Sequence, residues 1–256
     1  MTDAERQAAL DAIAAEAAAC TRCRLHEGRT RAVPGEGTAS TEVVFVGEGP
    51  GFNEDRQGRP FVGQAGSLLD ELLASVMWSR SEVFITNVVK CRPPGNRDPE
   101  PDEIAACAPY LTRQLEVLDP ALVVTLGRFS MACFSPGSRI GQVHGTFRAA
   151  DAASGAPRAT TFAMYHPAAA LHQASLKQTL FTDMQGVPAA LTEARRIRAT
   201  EKIGRATGPG AADAQVAITH VPSPEQPAVT PDTEAAPETN PEAGVEFDPT
   251  AQLDLF

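Results

Sequence analysis

The chain has 256 residues, 43% of them hydrophobic, and a formal net charge of −10. Residues 1–200 hold 20 basic and 22 acidic side chains, whereas residues 201–256 hold 2 basic and 10 acidic ones. Because this excess of negative charge would repel phosphate, the C-terminal segment is excluded as a nucleic-acid-binding arm. The chain has no run near the roughly 20 apolar residues of a membrane span, and its polar N-terminal segment is unlike a signal peptide, so we expect a soluble, cytoplasmic protein.

Apolar segments within residues 1–200 predict strands that alternate with helices. The first helix is expected over residues 3–19, where Leu10 and Ile13 have helical spacing. Strands are expected at Val43–Val46, Val83–Thr86, Leu122–Leu126 and Thr161–Tyr165, and further helices at Gly66–Met77, Asp102–Leu118, Phe129–Phe134 and Ser175–Arg198, the last broken near Gly186–Pro188. This alternation predicts an α/β fold, a three-layer α/β/α sandwich with a central, four-stranded, mainly parallel sheet.

Polar and glycine residues follow each predicted strand. Gly47–Asp55 follows the first strand, Asn87 the second, Gly127 the third and His166 the fourth. Ligands of parallel sheets bind beyond the carboxyl ends of the strands, so these residues are expected to surround one pocket. Each of them taken alone is also compatible with an ordinary strand end, a helix cap or a surface group.

The glycine turn after the first strand also raises the possibility of a dinucleotide site. Gly47 and Gly49 fit the start of that fingerprint, but Phe52 replaces its third glycine and Pro50 removes a backbone donor. The turn is better suited to the close approach of a flat ligand.

Four of the five cysteines form a candidate metal-binding set. Cys20 and Cys23 are a Cys-x-x-Cys pair, and Cys91 and Cys107 could complete the set after a gap of 67 residues. The spacing leaves zinc, an iron–sulfur cluster and buried unliganded thiols open. Cys133 lies in an apolar segment and is assigned to the core.

Basic residues surround the cysteine segments. They are Arg22, Arg24, Arg29 and Arg31 after the first pair, and Lys90, Arg92 and Arg97 around Cys91. A shared metal would bring the two segments together into a cationic patch suited to phosphate. Ordinary solvated charge is the alternative.

The C-terminal segment predicts a flexible tether that ends in a binding peptide. Residues 201–256 hold eight prolines and ten acidic residues, too polar a composition to offset the entropy of ordering. The last five residues resemble the Gln-Leu-x-Leu-Phe peptide by which bacterial repair and replication enzymes attach to the DNA sliding clamp; the matching positions are Gln252, Leu253, Leu255 and Phe256. A chance apolar end is the alternative.

Four motifs in order resemble the family 4 uracil-DNA glycosylases, the iron–sulfur members of the uracil glycosylase superfamily. They are Gly47–Gly51, Gly58–Gly63, Asn87–Pro94 and His166–Leu171, and the resemblance covers roughly residues 15–198. It implies a [4Fe–4S] cluster on Cys20, Cys23, Cys91 and Cys107. It also implies a monofunctional hydrolase that removes uracil from single- or double-stranded DNA and leaves an abasic site in base excision repair.

The same resemblance implies roles for individual residues. Phe61 would stack on the flipped uracil, Asn87 would read its Watson–Crick edge, and His166 would donate a hydrogen bond to O2. Glu48 would orient water near the sugar, Gly49 would let the backbone approach the base, and Glu54 would crowd C5 and exclude thymine. Leu171 would wedge into the gap in the duplex and Arg92 would contact DNA.

The sequence departs from the family at two places. Ala168–His172 reads Ala-Ala-Ala-Leu-His, where close relatives commonly have a bulkier aliphatic pair followed by Arg. This difference affects two roles expected from the family, Leu171 as the wedge and His172 as a phosphate contact. Residues 92–103 have no Lys-Arg-Arg-Ile-His insert, the mark of relatives that trap DNA covalently, so turnover is expected.

The sequence therefore predicts a glycosylase domain at residues 1–200, a disordered linker at 201–251 and a clamp-binding peptide at 252–256. The protein is expected to be monomeric and to act in the bacterial nucleoid. Two alternatives remain: a related glycosylase that also accepts hypoxanthine or other deaminated bases, and a non-catalytic protein that binds the clamp and DNA.

Overall fold

A six-stranded mixed sheet forms the centre of the protein. The computed structural model describes residues 1–171 and 173–206. The strands are β1 (Glu36–Gly37), β2 (Val43–Gly47), β3 (Phe84–Asn87), β4 (Leu122–Leu126), β5 (Phe147–Ala149) and β6 (Thr160–Met164). They lie in the order β1-β3-β2-β4-β6-β5, and the inner four are parallel while the two edge strands run antiparallel to their neighbours. The carboxyl ends of the four inner strands therefore meet at one edge of the sheet.

Helices cover both faces of this sheet. They are α1 (Asp3–Ala19), α2 (Leu25–Gly28), α3 (Phe52–Gln57), α4 (Gln64–Ser75), α5 (Pro101–Leu118), α6 (Arg128–Phe134), α7 (Ile140–Val143), α8 (Pro167–Ala170) and α9 (Ala174–Ala206). None of the described helices is long and apolar enough to cross a membrane.

Side chains of the inner strands alternate between two apolar cores. Phe45 of β2 packs with residues of α4, α8 and α9 on one face. Val44 and Val46 pack with residues of α1, α5 and α6 on the other face. Every residue of the four inner strands is buried, as expected when helices cover both faces. These layers confirm the predicted α/β/α sandwich.

The structure corrects two details of the prediction. The sheet has six strands instead of four, because β1 and β5 are short, partly exposed edge strands without an apolar pattern. The last helix is not broken near Gly186–Pro188. It continues through Pro188, whose missing N–H costs one helical hydrogen bond, because Met184, Val187 and Leu191 bury one face of the helix in the core.

The last helix runs to Ala206, past the predicted domain boundary at residue 200. His172, most of the predicted linker and the clamp-binding peptide lie outside the described residues.

Candidate active site

A cleft of about 240 Å³ opens at the carboxyl ends of the inner strands. It is lined by residues that follow β2, β3 and β6, together with the loop before α4 and the loop before α5. The predicted site residues among them are Glu48, Gly49, Glu54, Phe61, Asn87 and His166. The structure thus brings the candidate catalytic and base-binding residues into one cavity.

Gly47, the last residue of β2, allows two of these side chains to meet. A Cβ atom at this position would overlap Asn87 Oδ1 and would lie 2.6 Å from Cζ of Phe61. Only glycine therefore lets the amide and the phenyl ring converge over the end of the strand.

Phe61 is held in an unfavourable backbone conformation. Its φ angle is +51°, in the left-handed region that side chains larger than glycine rarely adopt. Phe61 lies in the turn formed by residues 60–63. Arg80 fixes this turn from one side by donating to the carbonyl oxygens of Pro60 and Phe61 at 2.6 and 3.0 Å. Gly66 in α4 permits the turn to pack closely, because a Cβ there would overlap the Phe61 carbonyl.

Glu54 fixes the same turn from the other side. Its Oε1 accepts hydrogen bonds from the backbone N–H groups of Val62 and Gly63, both at 2.9 Å. The carboxylate therefore has a structural function in addition to lining the cleft. Together Glu54 and Arg80 hold the Phe61 ring in place.

Asn87 ends β3 with its side-chain amide buried beside the cleft. The residue is 1% exposed, and its Oδ1 has no hydrogen-bond partner among the described residues. An unpaired buried acceptor costs about 1–3 kcal/mol. A ligand that donates to Oδ1 would recover this cost.

Lys90 supports the backbone of Asn87 from inside the protein. Its Nζ donates to the Asn87 carbonyl oxygen at 2.7 Å, to Thr86 Oγ1 at 2.7 Å and to Gln114 Oε1 at 2.8 Å. Complete burial lowers the pKa of Lys90 to about 8, so the ammonium remains protonated at neutral pH and makes three donations. Its own backbone N–H donates to Cys107 Sγ at 3.2 Å.

His166 presents a neutral imidazole to the cleft. Burial lowers its pKa to about 4, although the nearby Glu54 carboxylate acts in the opposite direction. Its Nδ1 accepts a hydrogen bond from the backbone N–H of Ala168 at 3.1 Å, which caps α8. In a neutral ring this places the proton on Nε2, so His166 is a hydrogen-bond donor.

Glu48 follows Gly47 and lies close to His166 around Gly127. Gly127 has a φ angle of +93°, and a Cβ there would overlap the Glu48 carboxylate and lie 3.1 Å from Cβ of His166. Burial is the largest influence on Glu48 and raises its pKa, while the backbone N–H of Phe129 donates to Oε1 at 3.4 Å and opposes the shift. The site therefore combines a half-buried carboxylate with an imidazole donor.

A second cavity brings the four predicted metal-binding cysteines together. Cys20, Cys23, Cys91 and Cys107 all line it. Arg29 donates to Cys91 Sγ at 3.3 Å, and the backbone N–H of Arg22 lies 3.5 Å from Cys20 Sγ. Among the described residues, however, no group of three or more His, Cys, Asp or Glu side chains is arranged to hold a single metal ion.

The predicted DNA-contacting residues lie on the surface. Leu171, which follows α8, is 39% exposed. Arg92 is partly exposed, and its Nε donates to Asn96 Oδ1 at 2.7 Å. Asn96 lines the cleft, so Arg92 adjoins its rim.

Sequence reasoning did not identify the residues that support the site. Arg80 and Gly66 act through contacts that only the fold creates. Lys90, expected in the cationic patch around Cys91, is instead buried and donates to the Asn87 carbonyl oxygen, so it is not available to phosphate. Gly47 follows a predicted strand, but the sequence does not show that two side chains converge on it.

Comparison with known proteins gives a consistent result. A family model described as the uracil DNA glycosylase superfamily matches residues 34–185. The type-4 uracil-DNA glycosylase of Saccharolobus solfataricus is 47% identical over 189 residues, which cover 72% of this chain and 87% of that protein. The type-4 uracil-DNA glycosylase of Archaeoglobus fulgidus is 43% identical over 187 residues, covering 70% of this chain and 91% of that protein. The type-4 uracil-DNA glycosylase of Thermotoga maritima is 47% identical over 135 residues, which cover 53% of this chain and 70% of that protein.

Proposed function

The chain belongs to the uracil DNA glycosylase superfamily, and we propose that it is a uracil-DNA glycosylase of type 4. It hydrolyses the N-glycosidic bond of uracil in DNA, releases the base and leaves an abasic site. The observation that carries the assignment is the Oδ1 of Asn87, which has no hydrogen-bond partner in the described part of the chain and lies in the same cleft as the His166 donor and the Phe61 ring.

Asn87 is the residue that reads the base. Its buried Oδ1 accepts from N3–H of uracil, and its Nδ2 donates to O4. Cytosine carries an acceptor at N3 and a donor at its exocyclic amine, so it mismatches the amide at both positions. Each unpaired buried group costs on the order of 1–3 kcal/mol, enough to favour uracil strongly.

Phe61 provides the surface on which the flipped base stacks. An aromatic ring that is already fixed by Glu54 and Arg80 loses little conformational entropy when the base binds. Stacking offsets part of the few kcal/mol required to extrude a base from the duplex.

His166 stabilises the charge that develops on the leaving base. Cleavage of the N1–C1′ bond leaves negative charge on uracil, and Nε2–H of the neutral imidazole donates to O2. A donor oriented before the reaction needs no reorganisation during it, which makes this kind of interaction a large catalytic contribution. The Ala168 N–H fixes the required tautomer.

Glu48 orients the attacking water near the sugar. Its half-buried carboxylate lies close to His166 and accepts from the Phe129 backbone N–H, which leaves lone pairs free for water; in its ionised form it places negative charge near the cationic sugar. Glu54 crowds C5 of the base and excludes the methyl group of thymine. The two hydrogen bonds from the turn at Val62 and Gly63 hold it rigidly enough to do so.

The four cysteines hold a [4Fe–4S] cluster. Their convergence on one cavity and the N–H donors around their sulfurs fit thiolate ligands of a cluster, which is larger than a single ion. When bound, the cluster would tie the segment after α1 to the segment after β3 and so hold their arginines toward DNA. Purified protein should be brown and contain about four irons per chain, and Cys107→Ser should lose iron whether or not the variant is active.

Two further contacts are proposed with partners. Leu171 fills the gap left by the extruded base, and its exposure next to the His166 loop supports this. The peptide Gln252–Phe256 binds the sliding clamp and thereby raises the local concentration of the enzyme at newly copied DNA.

Release of free uracil from single- and double-stranded oligonucleotides tests the proposed activity. The expected result is uracil release with turnover and no release of cytosine or thymine. Release of hypoxanthine at a similar rate would favour a broader deaminated-base glycosylase. Binding of the oligonucleotide without release of uracil would indicate a non-catalytic DNA-binding protein.

A further inference from the structure

Phe52 is an aromatic residue at the rim of the cleft with two arginines against its ring. It is 50% exposed and directly follows Gly51, which lines the cleft. The guanidinium carbon of Arg92 lies 5.1 Å from the ring centroid, and that of Arg56 lies 5.6 Å from it. A single exposed apolar residue is ordinary, but here two cations converge on it.

Neither guanidinium is neutralised within the described part of the chain. Other arginines near the cleft are paired, since Arg97 binds Glu103 at 2.6 Å and Arg128 binds Asp98. Arg92 instead donates to the uncharged amide oxygen of Asn96, which orients its side chain without cancelling its charge. The two positive charges at Phe52 are therefore available to an anion.

We propose that Phe52, Arg56 and Arg92 form a phosphate-binding platform for the DNA strand that carries the uracil. This inference rests on the proposed function, because it assigns the platform to the substrate of the same cleft. The ring holds both guanidiniums by cation–π contact, so their long side chains are ordered before DNA binds. The platform contacts the backbone and carries no base specificity.

The position of the platform determines which phosphate it binds. Gly51 and Asn96 line the cleft and also adjoin the platform, Gly51 along the chain and Asn96 through its hydrogen bond to Arg92. A nucleotide whose base enters the cleft must leave its phosphate at the mouth of the cleft. The platform therefore binds a phosphate next to the flipped nucleotide.

The acidic residues inside the cleft explain why cations at its rim would favour DNA binding. Glu48 and Glu54 both line the cavity and would repel an approaching phosphate backbone if ionised. Two uncompensated cations at the rim offset that repulsion where the strand passes.

Direct binding of DNA tests the platform separately from catalysis. The probe is a labelled single-stranded oligonucleotide with one 2′-fluoro-2′-deoxyuridine, whose glycosidic bond resists hydrolysis, and Kd is measured by fluorescence anisotropy between 50 and 200 mM salt. Arg56→Gln and Arg92→Gln should each weaken binding and reduce the slope of log K against log salt by about 0.7, the value for one phosphate of a single strand. Arg195→Gln is the matched control, because Arg195 pairs with Glu42 before β2, at the opposite edge of the sheet.

The role of the ring is tested with two substitutions at Phe52. Phe52→Leu keeps an apolar side chain for folding but removes the cation–π contacts, and it should weaken binding roughly threefold to tenfold. Phe52→Trp should bind like the natural protein.

Two results would overturn the platform: Arg56→Gln and Arg92→Gln variants that match Arg195→Gln in affinity and salt slope, or a Phe52→Leu variant that binds like Phe52→Trp. Uracil release by the unaltered protein is measured in parallel. Its absence would contradict the proposed function, whereas the binding comparison judges the platform alone.

Discussion

The imidazole of His166 stacks against the ring of Phe61, with centroids 5.6 Å apart and planes inclined by 27°. The two residues come from different loops, one before α4 and one before α8. Because the stacking surface and the hydrogen-bond donor contact each other, a shift in one displaces the other. The site therefore depends on backbone features that hold this pair beside Asn87.

Gly47→Ala should disrupt the site without removing any functional group. Its Cβ would overlap Asn87 Oδ1 and press on Cζ of Phe61, so the amide and the ring must separate. We expect kcat/KM for uracil release to fall at least about 100-fold, since small displacements in an active site are costly. Gly28→Ala is the matched control, because a Cβ there meets nothing within 4 Å. Equal activity of the two variants would contradict the convergence at Gly47.

Asn87→Asp should loosen the discrimination between uracil and cytosine. The substitution removes the amide donor to O4 and provides an oxygen that can accept from the exocyclic amine of cytosine. The ratio of kcat/KM for uracil to that for cytosine should fall by about tenfold or more, corresponding to roughly 1–3 kcal/mol for each mismatched group. Both rates are measured on oligonucleotides that differ only in the target base, and an unchanged ratio would count against Asn87 as the reading residue.

Much of this site is predictable from the sequence, because the inner strands are continuous apolar segments and each one is followed by its polar residues. The strands β1 and β5 are not predictable in this way, since they are short edge strands whose pairing comes from the neighbouring strand. Pro188 reads as a helix breaker, but tertiary burial of the surrounding face outweighs the lost hydrogen bond. The hydrogen bond from Lys90 to the Asn87 carbonyl oxygen is not predictable from the sequence either, because it belongs to a buried network that only the fold assembles.

Lys90→Met should destabilise the protein and weaken base selection together. Methionine has a similar length but donates no hydrogen bonds, so the Asn87 carbonyl and Gln114 Oε1 lose a buried partner. The free energy of unfolding should fall by about 2–5 kcal/mol, and the preference for uracil over cytosine should decrease because the Asn87 backbone is less constrained. Lys177→Met is the control, because Lys177 is exposed and its ammonium forms a surface ion pair with Glu71. A stable variant with full selectivity would show that the network has no positioning role.

The lowered pKa of His166 should make stability depend on pH in a defined range. The unfolded chain takes up a proton on this residue near pH 6.5, whereas the folded chain does so only near pH 4. Protons therefore favour the unfolded state between these values, and stability should decrease as the pH falls from about 6.5 to about 4. Tm is measured across this range for the natural protein and for His166→Gln. Because the two proteins share all other titrating groups, the pH dependence of their difference in Tm reports on His166 alone. A constant difference would mean that the imidazole is not held neutral by burial.

Deletion of Gln252–Phe256 should separate clamp binding from catalysis. The proposed clamp peptide follows an acidic, proline-rich segment, and a sequence of this composition is expected to act as a flexible tether that leaves the catalytic domain unchanged when a partner binds. The truncated protein should lose binding to purified sliding clamp in a surface-based assay, while its kcat/KM on short oligonucleotides stays unchanged. A variant with Leu253, Leu255 and Phe256 replaced by alanine keeps the length and charge of the tail and should behave like the deletion, because the apolar side chains supply most of the binding energy. Clamp binding that survives both changes would place the contact elsewhere on the protein.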